Sequence, residues 1–352
     1  MTSTRKLIAD NLNLNTNLNS SSSLTTTNFS KMYVFGDSLS DPGNLFQATK
    51  FVQPFERFFG LDIPIVPESR LFFEGRFSNG PVWVENLAAN LGLSVTPSSE
   101  LSVLNPLIPI SSPVTIGLNG LEVSPYFNGA TTTQGVNFAF GSAQTGQNGS
   151  GELRDFIPGV LQQVEWFIND HQQTGVSADP NALYVIWAGA NDYLGLPNPD
   201  PLNTVNNIST AIGSLFDLGA RNFLVPNLPD LGQTPLAKTL PIDAAIQLTN
   251  LTDRHNLLLD NTLDNLSASL DGIDLIKLDT NSLFDRVILT PEEFGLSNVS
   301  QPFLDPIAGV ASGDPNQYLF WDTIHPTASV HEILADFAFN ALTVDRNQFV
   351  LA

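Results

Sequence analysis

One serine in this chain stands out as a candidate nucleophile. The 352 residues include no cysteine and only four histidines. Ser38 follows the apolar run "YVFGD", which is typical of a buried strand that ends in a turn. A serine hydroxyl is a weak nucleophile at neutral pH and needs a base, usually a histidine that a third group orients. The sequence must therefore supply a histidine that can reach Ser38.

His325 is the best candidate for that base. It lies in "WDTIHPTAS", just before a proline that can open a helix, so the imidazole is held at a loop-to-helix junction. Asp322, three residues earlier, is close enough to accept a hydrogen bond from Nδ1. An Asp-x-x-His pattern alone is weak evidence for a catalytic pair. It becomes stronger evidence, for a triad, when the same chain has a serine at the end of a strand. For His171 and His255 we expect solvated or helix-capping side chains, and His331 is expected to pack or to face solvent.

An acyl-transfer site also needs donors for the negative oxygen that develops in the reaction. The main-chain N–H of Ser38 is one. Gly141, in "GVNFAFGSAQTG", lacks a side chain, so its N–H can approach a ligand. Asn191, in "VIWAGANDYL", carries an amide that can donate. Taken singly, Gly141 reads as a turn residue and Asn191 as a turn or cap residue. Both are expected where strands end, which is where ligands bind on open parallel sheets.

The elements that must position these residues are buried strands alternating with amphipathic helices. The apolar runs predict strands at 32–37, 182–189, 221–228 and 273–279. Periodic segments predict helices at 81–92, with Pro81 in the first turn, and at 159–171, 203–220 and 244–270. This alternation predicts βαβ units and a parallel sheet covered on both faces. The main irregular insertion is 93–135, which has room for a short extra strand.

Composition and charge exclude several classes of partner. Acidic residues number 35 against 14 basic ones, and the net charge of −21 repels nucleic acid and anionic lipid. No apolar run approaches the ~20 residues that span a bilayer. The segment "LIADNLNLNTNLN" does not resemble a secretory signal peptide, so we expect a cytoplasmic protein or export by a non-Sec route. The lack of cysteine excludes disulfides and thiolate-bound metals.

Four stretches, in order, resemble the GDSL, or SGNH, family of serine esterases and lipases. They are "FGDSLSDPGN", "NFAFGSA", "GAND" and "DTIHPT", and "GRFSNGPVWVENLA" (75–88) resembles a segment of the family's longer members. The resemblance runs over 33–340 and implies an α/β fold, a three-layer α/β/α sandwich with a doubly wound, mainly parallel, flavodoxin-like sheet. We expect one catalytic domain at 31–352, preceded by an Asn-, Ser- and Thr-rich, disordered tail at 1–30.

The resemblance also implies a role for each candidate residue. The nucleophile is Ser38, the base is His325 and the residue that orients it is Asp322. The oxyanion donors are the Ser38 main chain, Gly141 and Asn191. No metal or organic cofactor is implied.

The chain departs from the family pattern at two positions. Ser142 stands where a second glycine is frequent, and Pro42 stands where threonine is common. The Gly-x-Ser-x-Gly signature of α/β-hydrolases is absent, because Ser40 occupies its last position. Asp37 is expected to brace the turn, while Asp41 and Asn44 hold the loop that follows.

The function implied is ester hydrolysis through an acyl-enzyme on Ser38, with a small-molecule ester as substrate. The apolar stretch "LSVLNPLIPI" (101–110) can line an acyl channel, which favours lipid-like esters, or can pack in the core. An acyltransferase or a carbohydrate deacetylase on the same triad stays open, as does a catalytically silent binding protein. The oligomeric state is not determined by the sequence.

Overall fold

A six-stranded parallel sheet forms the centre of the protein. The computed structural model describes residues 28–53, 63–68, 70–101, 114–117, 120–123, 134–196, 198–305 and 309–343. The strands are β1 (Met32–Gly36), β2 (Thr96–Pro97), β3 (Val136–Asn137), β4 (Leu183–Trp187), β5 (Asn222–Pro226) and β6 (Asp274–Leu278). Their order is β2–β3–β1–β4–β5–β6, and every pairing is parallel. The four predicted long strands are confirmed, and without the short edge strand β2 the order is that of flavodoxin.

Helices cover both faces of this sheet. They are α1 (Asn44–Val52), α2 (Trp83–Asn90), α3 (Val160–Thr174), α4 (Ala190–Gly195), α5 (Pro201–Leu218), α6 (Pro235–Thr239), α7 (Ile242–Ser269), α8 (Thr280–Leu289) and α9 (Ala328–Thr343). Gly219 ends α5 with a φ of 124°, as its position in the sequence predicts. No helix in the described part of the chain is long and apolar enough to cross a bilayer.

Alternate side chains of each strand enter two separate cores. Tyr33 and Phe35 of β1 pack with α3 and α5, around Phe167 and Ile212. Met32 and Val34 pack on the opposite face, with α2, α8 and α9. Because strand residues alternate between faces, a run that is apolar throughout must be buried on both sides. The three-layer α/β/α architecture follows from those continuous apolar runs.

The insertion at 93–135 contributes β2 and a hairpin of two strands, Val114–Gly117 and Gly120–Val123. Two further small sheets pair Asn298–Pro302 with Tyr318–Phe320, and Leu304–Asp305 with Gly309–Val310. Residues 1–27 of the predicted tail, and 102–110 of the predicted acyl-channel stretch, lie outside the described residues.

The structure corrects two local predictions. Helix α2 begins at Trp83, because the Glu85 side chain accepts from the N–H of Val82, so Pro81 lies before the cap. The solvated reading of His171 and His255 is wrong, since both are buried. The ring of His171 donates from Nδ1 to a carbonyl of its own helix, and that of His255 contacts Tyr193 Oη at 2.7 Å.

Candidate active site

The end of β1 is held rigidly where it delivers Ser38. A Cβ at Gly36 would lie 2.5 Å from the carbonyl oxygen of Trp187 on the neighbouring strand, so only glycine fits there. The buried Gln163 side chain on α3 accepts from the Gly36 N–H and donates to the Gly36 carbonyl, both at 2.9 Å. This paired contact continues the strand's hydrogen bonding to its last residue and fixes the backbone just before the serine.

The turn around Ser38 is held by a contact within itself and by contacts to two other elements, α2 and β3. The Asp37 carboxylate accepts from the N–H of Leu39 at 3.1 Å. The Ser40 hydroxyl accepts from Trp83 Nε1 of α2, and the Ser40 carbonyl accepts from the Asn137 amide of β3. The polar residues around Ser38 therefore hold the turn in place.

Asp41 is fully buried and anchors the start of α1. Its carboxylate accepts from the N–H groups of Gly43, Asn44 and Leu45 at 2.8, 2.5 and 3.2 Å. Burial raises the pKa of Asp41 to about 6, although these donors favour the charged form. A fourth donor comes from another part of the chain, since the Gly141 N–H lies 2.7 Å from Asp41 Oδ2.

Ser38, His325 and Asp322 form a hydrogen-bonded chain. Ser38 Oγ lies 2.8 Å from His325 Nε2, and His325 Nδ1 lies 2.7 Å from Asp322 Oδ2. An ionised carboxylate can only accept, so Nδ1 carries the proton and the Nε2 lone pair faces the serine hydroxyl. The other carboxylate oxygen of Asp322 accepts from the N–H groups of Ile324 and His325, which closes the loop around the pair.

The two partners shift each other's pKa values. Burial works to raise the pKa of Asp322, but the adjacent imidazole and the donated hydrogen bonds outweigh it and hold that pKa below its usual range. For His325, burial works to lower the pKa, and the charge and hydrogen bond of Asp322, with a contribution from Asp37, raise it. Burial raises the pKa of Asp37 itself to about 7.

The remaining predicted donors lie at the ends of β3 and β4. The Asn191 amide donates one hydrogen to the Ala143 carbonyl at 3.0 Å, which orients the group, and Asn191 lines the same cavity as Ser38. The Gly141 N–H points to Asp41. Its neighbour Ser142 lines the cavity in its place and has a φ of 63°.

A segment that the sequence analysis noted only as a resemblance contacts the histidine loop directly. The Phe77 ring lies 5.0 Å from the imidazole of His325, centroid to centroid. Ser78 Oγ donates to the Pro326 carbonyl, and the side-chain Oδ1 of Asn79 accepts from the Ala328 N–H, each at 2.8 Å. Residues 77–80 thus form a cradle under the loop. An aromatic residue followed by Ser-Asn-Gly was the available signal, but no sequence rule links it to a loop 248 residues away.

The cavity beside Ser38 is mostly apolar. It has an empty volume of about 960 Å³, a figure that includes its open mouth. Its walls include the apolar side chains of Phe77, Leu194, Leu231, Phe284, Ile288 and Ile324, and two carboxylates, Asp230 and Asp285. Among the described residues, no cluster of His, Asp and Glu has the arrangement of a metal site.

Comparison with known proteins identifies the family. The sequence model described as GDSL-like Lipase/Acylhydrolase matches residues 32–338. The chain belongs to the GDSL-like lipase/acylhydrolase family. The resemblance noted in the sequence is thereby confirmed. The α/β fold that it implied is the one described above, with its parallel central sheet.

Relatives within the GDSL family carry different names. The phosphatidylcholine-sterol acyltransferase of Aeromonas hydrophila is 25% identical over 357 residues, which cover 88% of each chain. A GDSL esterase/lipase of Arabidopsis thaliana is 26% identical and covers 88% of this chain and 81% of that one. A solved GDSL-family structure from Veillonella parvula has a TM-score of 0.41 and 15% identity, and covers 89% of this chain and 97% of that one.

Proposed function

We propose that this chain is a serine ester hydrolase of carboxylesterase or lipase type, with Ser38 as nucleophile, His325 as base and Asp322 as the residue that orients it. The observation that carries the proposal is the unbroken chain of 2.8 and 2.7 Å contacts from Ser38 Oγ through His325 to Asp322. It meets the geometric requirement for an activated serine, in which the base contacts both the nucleophile and an orienting group.

In the first step, His325 Nε2 takes the Ser38 proton while Oγ forms a bond to the ester carbonyl carbon. The carbonyl electron pair moves onto oxygen, and the resulting oxyanion is held by the Ser38 N–H and the Asn191 amide, together with one further main-chain N–H. When the intermediate collapses, the bond to the leaving alkoxide breaks and His325 gives it the proton. The products are an alcohol and an acyl-enzyme.

Water releases the acyl group in the second step. His325 takes a proton from water as its oxygen bonds to the acyl carbon, and then returns a proton to Ser38 Oγ as that bond breaks. The imidazole is neutral at the start of each step and charged in the middle. Asp322 stabilises that charge, which is the role its lowered pKa supports.

The walls of the cavity favour an ester with an apolar acyl or alcohol part. Burying apolar surface contributes about 25 cal/mol per Å² of area removed from water, and most of the side chains around Ser38 offer such surface. We therefore propose lipid-like or medium-chain acyl esters as substrates. A series of p-nitrophenyl esters from acetyl to decanoyl tests this: kcat/KM should rise beyond acetyl, and a steep preference for acetyl would favour a carbohydrate deacetylase.

The nucleophile is tested by Ser38→Ala. We expect p-nitrophenyl butyrate hydrolysis to fall by about 10⁴- to 10⁶-fold, with the unfolding transition unchanged. The matched control is Ser40→Ala, which removes a buried hydroxyl from the same turn but not from the triad. Near-normal turnover by the Ser38 variant would refute the assignment.

A second candidate is acyl transfer to an alcohol. One relative is named an acyltransferase, and the apolar cavity can hold an acceptor alcohol as well as an acyl chain. With a long-chain alcohol added, an acyltransferase would give mainly the new ester and little free acid. A hydrolase gives mainly free acid under the same conditions.

A further inference from the structure

The Gly141 N–H is occupied in this structure. It lies 2.7 Å from Asp41 Oδ2, in a site that Asp41 shares with three other N–H groups at the start of α1. An oxyanion that accepted from the same N–H would face the Asp41 carboxylate at close range in a buried site. Two negative charges repel strongly where water cannot screen them. Gly141 is therefore poorly placed to receive the oxyanion.

The main-chain N–H of Ser142, the next residue, is not occupied in this way. Within the described residues, no group accepts a hydrogen bond from the Ser142 N–H, and Ser142 lines the cavity together with Ser38 and Asn191. The φ of Ser142 is 63°, a conformation that L-residues other than glycine rarely adopt. Such conformations persist where surrounding structure enforces them, and they concentrate at functional sites.

The surrounding contacts fix this peptide unit. The Ala143 N–H donates to the Phe140 carbonyl at 3.1 Å, which closes a four-residue turn with Gly141 and Ser142 at its centre. The Ser142 carbonyl accepts from the main-chain N–H and the hydroxyl of Ser150. The Ala143 carbonyl accepts from the Asn191 amide, so this turn and the amide donor are positioned together.

We infer that the main-chain N–H of Ser142, together with the Ser38 N–H and the Asn191 amide, receives the oxyanion, while the Gly141 N–H holds Asp41. This inference rests on the proposed function, because it assigns a donor for that reaction. It also gives Gly141 a different role. A Cβ at Gly141 would lie 2.2 Å from Cε2 of Phe77, so the glycine makes room for the ring that contacts His325.

The test is the structure of the full-length enzyme after reaction with diethyl p-nitrophenyl phosphate. Serine Oγ displaces nitrophenolate from phosphorus, and the phosphoryl oxygen then occupies the oxyanion position. We expect it within about 2.7–3.1 Å of the Ser142 nitrogen, with the Gly141 N–H still on Asp41. A phosphoryl oxygen bound to the Gly141 nitrogen, with Asp41 displaced, would overturn the inference and leave the nucleophile assignment intact. Mass spectrometry that shows Ser38 unlabelled would instead refute the proposed function.

A kinetic test removes the donor itself. Lactic acid incorporated at position 142 replaces the main-chain N–H with an ester oxygen, and the reference is Ser142→Ala, which keeps the N–H. Relative to that reference, we expect kcat for p-nitrophenyl butyrate to fall about 10²- to 10³-fold with KM little changed, the loss seen when one oxyanion donor is removed. A kcat within threefold of the reference would contradict the inference.

Discussion

Asp37 precedes the proposed nucleophile and acts on the proposed base through its charge. It contributes to the raised pKa of His325, while burial raises its own pKa to about 7. Only the neutral imidazole can take the serine proton. The acidic limb of kcat/KM therefore follows the His325 pKa, and the structure predicts that limb above the ordinary histidine value of about 6.5.

Replacing Asp37 with Asn should move that acidic limb to lower pH. The amide oxygen can still accept from the Leu39 N–H, but the negative charge that favours the imidazolium is lost. The measurement is kcat/KM for a neutral ester from pH 4 to 9, with Asp155→Asn on the exposed surface as the control. An unshifted limb would show that Asp37 has no electrostatic effect on the base.

The same variant should change stability in a pH-dependent way. The pKa of Asp37 is raised on folding, so its contribution to stability is present below about pH 4 and is lost as the pH rises towards 7. The Asn variant does not suffer this loss. Its free energy of unfolding, relative to the parent, should therefore increase between pH 4 and 7 and stay level above. Urea denaturation at several pH values measures this, and a constant difference would contradict it.

Gly141→Ala should lower both the free energy of unfolding and kcat, because the added methyl group disturbs local packing. The new Cβ would overlap the Phe77 ring, which contacts His325. Overpacking of this kind costs about 1–3 kcal/mol, and the displaced ring would disturb the imidazole. Urea unfolding and kcat measure the two effects. A second change, Phe77→Leu, relieves the overlap and should recover part of the stability, while failure to recover any would place the clash elsewhere.

The sequence predicts some of these residues well and others poorly. Asp322 and His325 are three positions apart, and Ser38 directly follows an apolar strand, so local spacing was enough to select all three. The contact between Gly141 and Asp41 was not predictable, because no spacing or residue pattern in the sequence pairs a main-chain N–H with a particular distant carboxylate. The backbone conformation of Ser142 was also not predictable, because serine rarely adopts a positive φ.

The cradle at 77–80 shows how one element can set the position of another. Asn79 accepts from the Ala328 N–H at the start of α9, two residues beyond the Pro326 carbonyl that Ser78 contacts. These contacts fix the loop that carries His325 at its C-terminal side. We propose that the cradle positions the base, although none of its polar groups takes part in the reaction.

Asn79→Ala should lower kcat about tenfold or more and leave KM near its original value, because a mispositioned base affects chemistry more than binding. The matched control is Asn90→Ala. Asn90 donates to Asp336 at 3.1 Å and also joins the α2 region to α9, but away from His325. Equal losses of kcat in both variants would point to general destabilisation of α9.

At the level of elements, the sequence was most informative about long ones. Strands β1, β4, β5 and β6 have five residues each and apolar stretches that local patterns detect, although the exposed Lys277 interrupts the one in β6. β2 and β3 have two residues each and depend on pairing with neighbours that are already in place. The predicted start of α2 at Pro81 is two residues too early, because the contact of the Glu85 side chain with the Val82 N–H sets the start of the helix.

Under the proposed function, the charge of the whole molecule bears on which esters the enzyme would accept. The net charge is −21, and Asp230 and Asp285 add negative charge to the wall of the cavity beside Ser38. Anionic esters should be repelled both on approach and in the site, whereas neutral esters are not affected.

We expect p-nitrophenyl butyrate to have a higher kcat/KM than its anionic counterpart, p-nitrophenyl hemisuccinate. The ratio should shrink when salt is raised from about 0.01 M to about 1 M, which shortens the screening length from about 30 Å to about 3 Å. Asp285→Asn should also reduce the ratio. A ratio that responds to neither change would exclude an electrostatic origin.

The hydrogen bond between Ser38 and His325 joins positions 287 residues apart. The serine leaves the first strand of the sheet, and the imidazole arrives with the loop before α9. A chain that has formed most of its sheet but has not docked this loop is native-like in its secondary structure but lacks the proposed triad. Under the proposed function, ester turnover therefore reports that this loop has docked on the sheet. During refolding, the recovery of esterase activity should trail the recovery of helical circular dichroism by the time that this last docking takes.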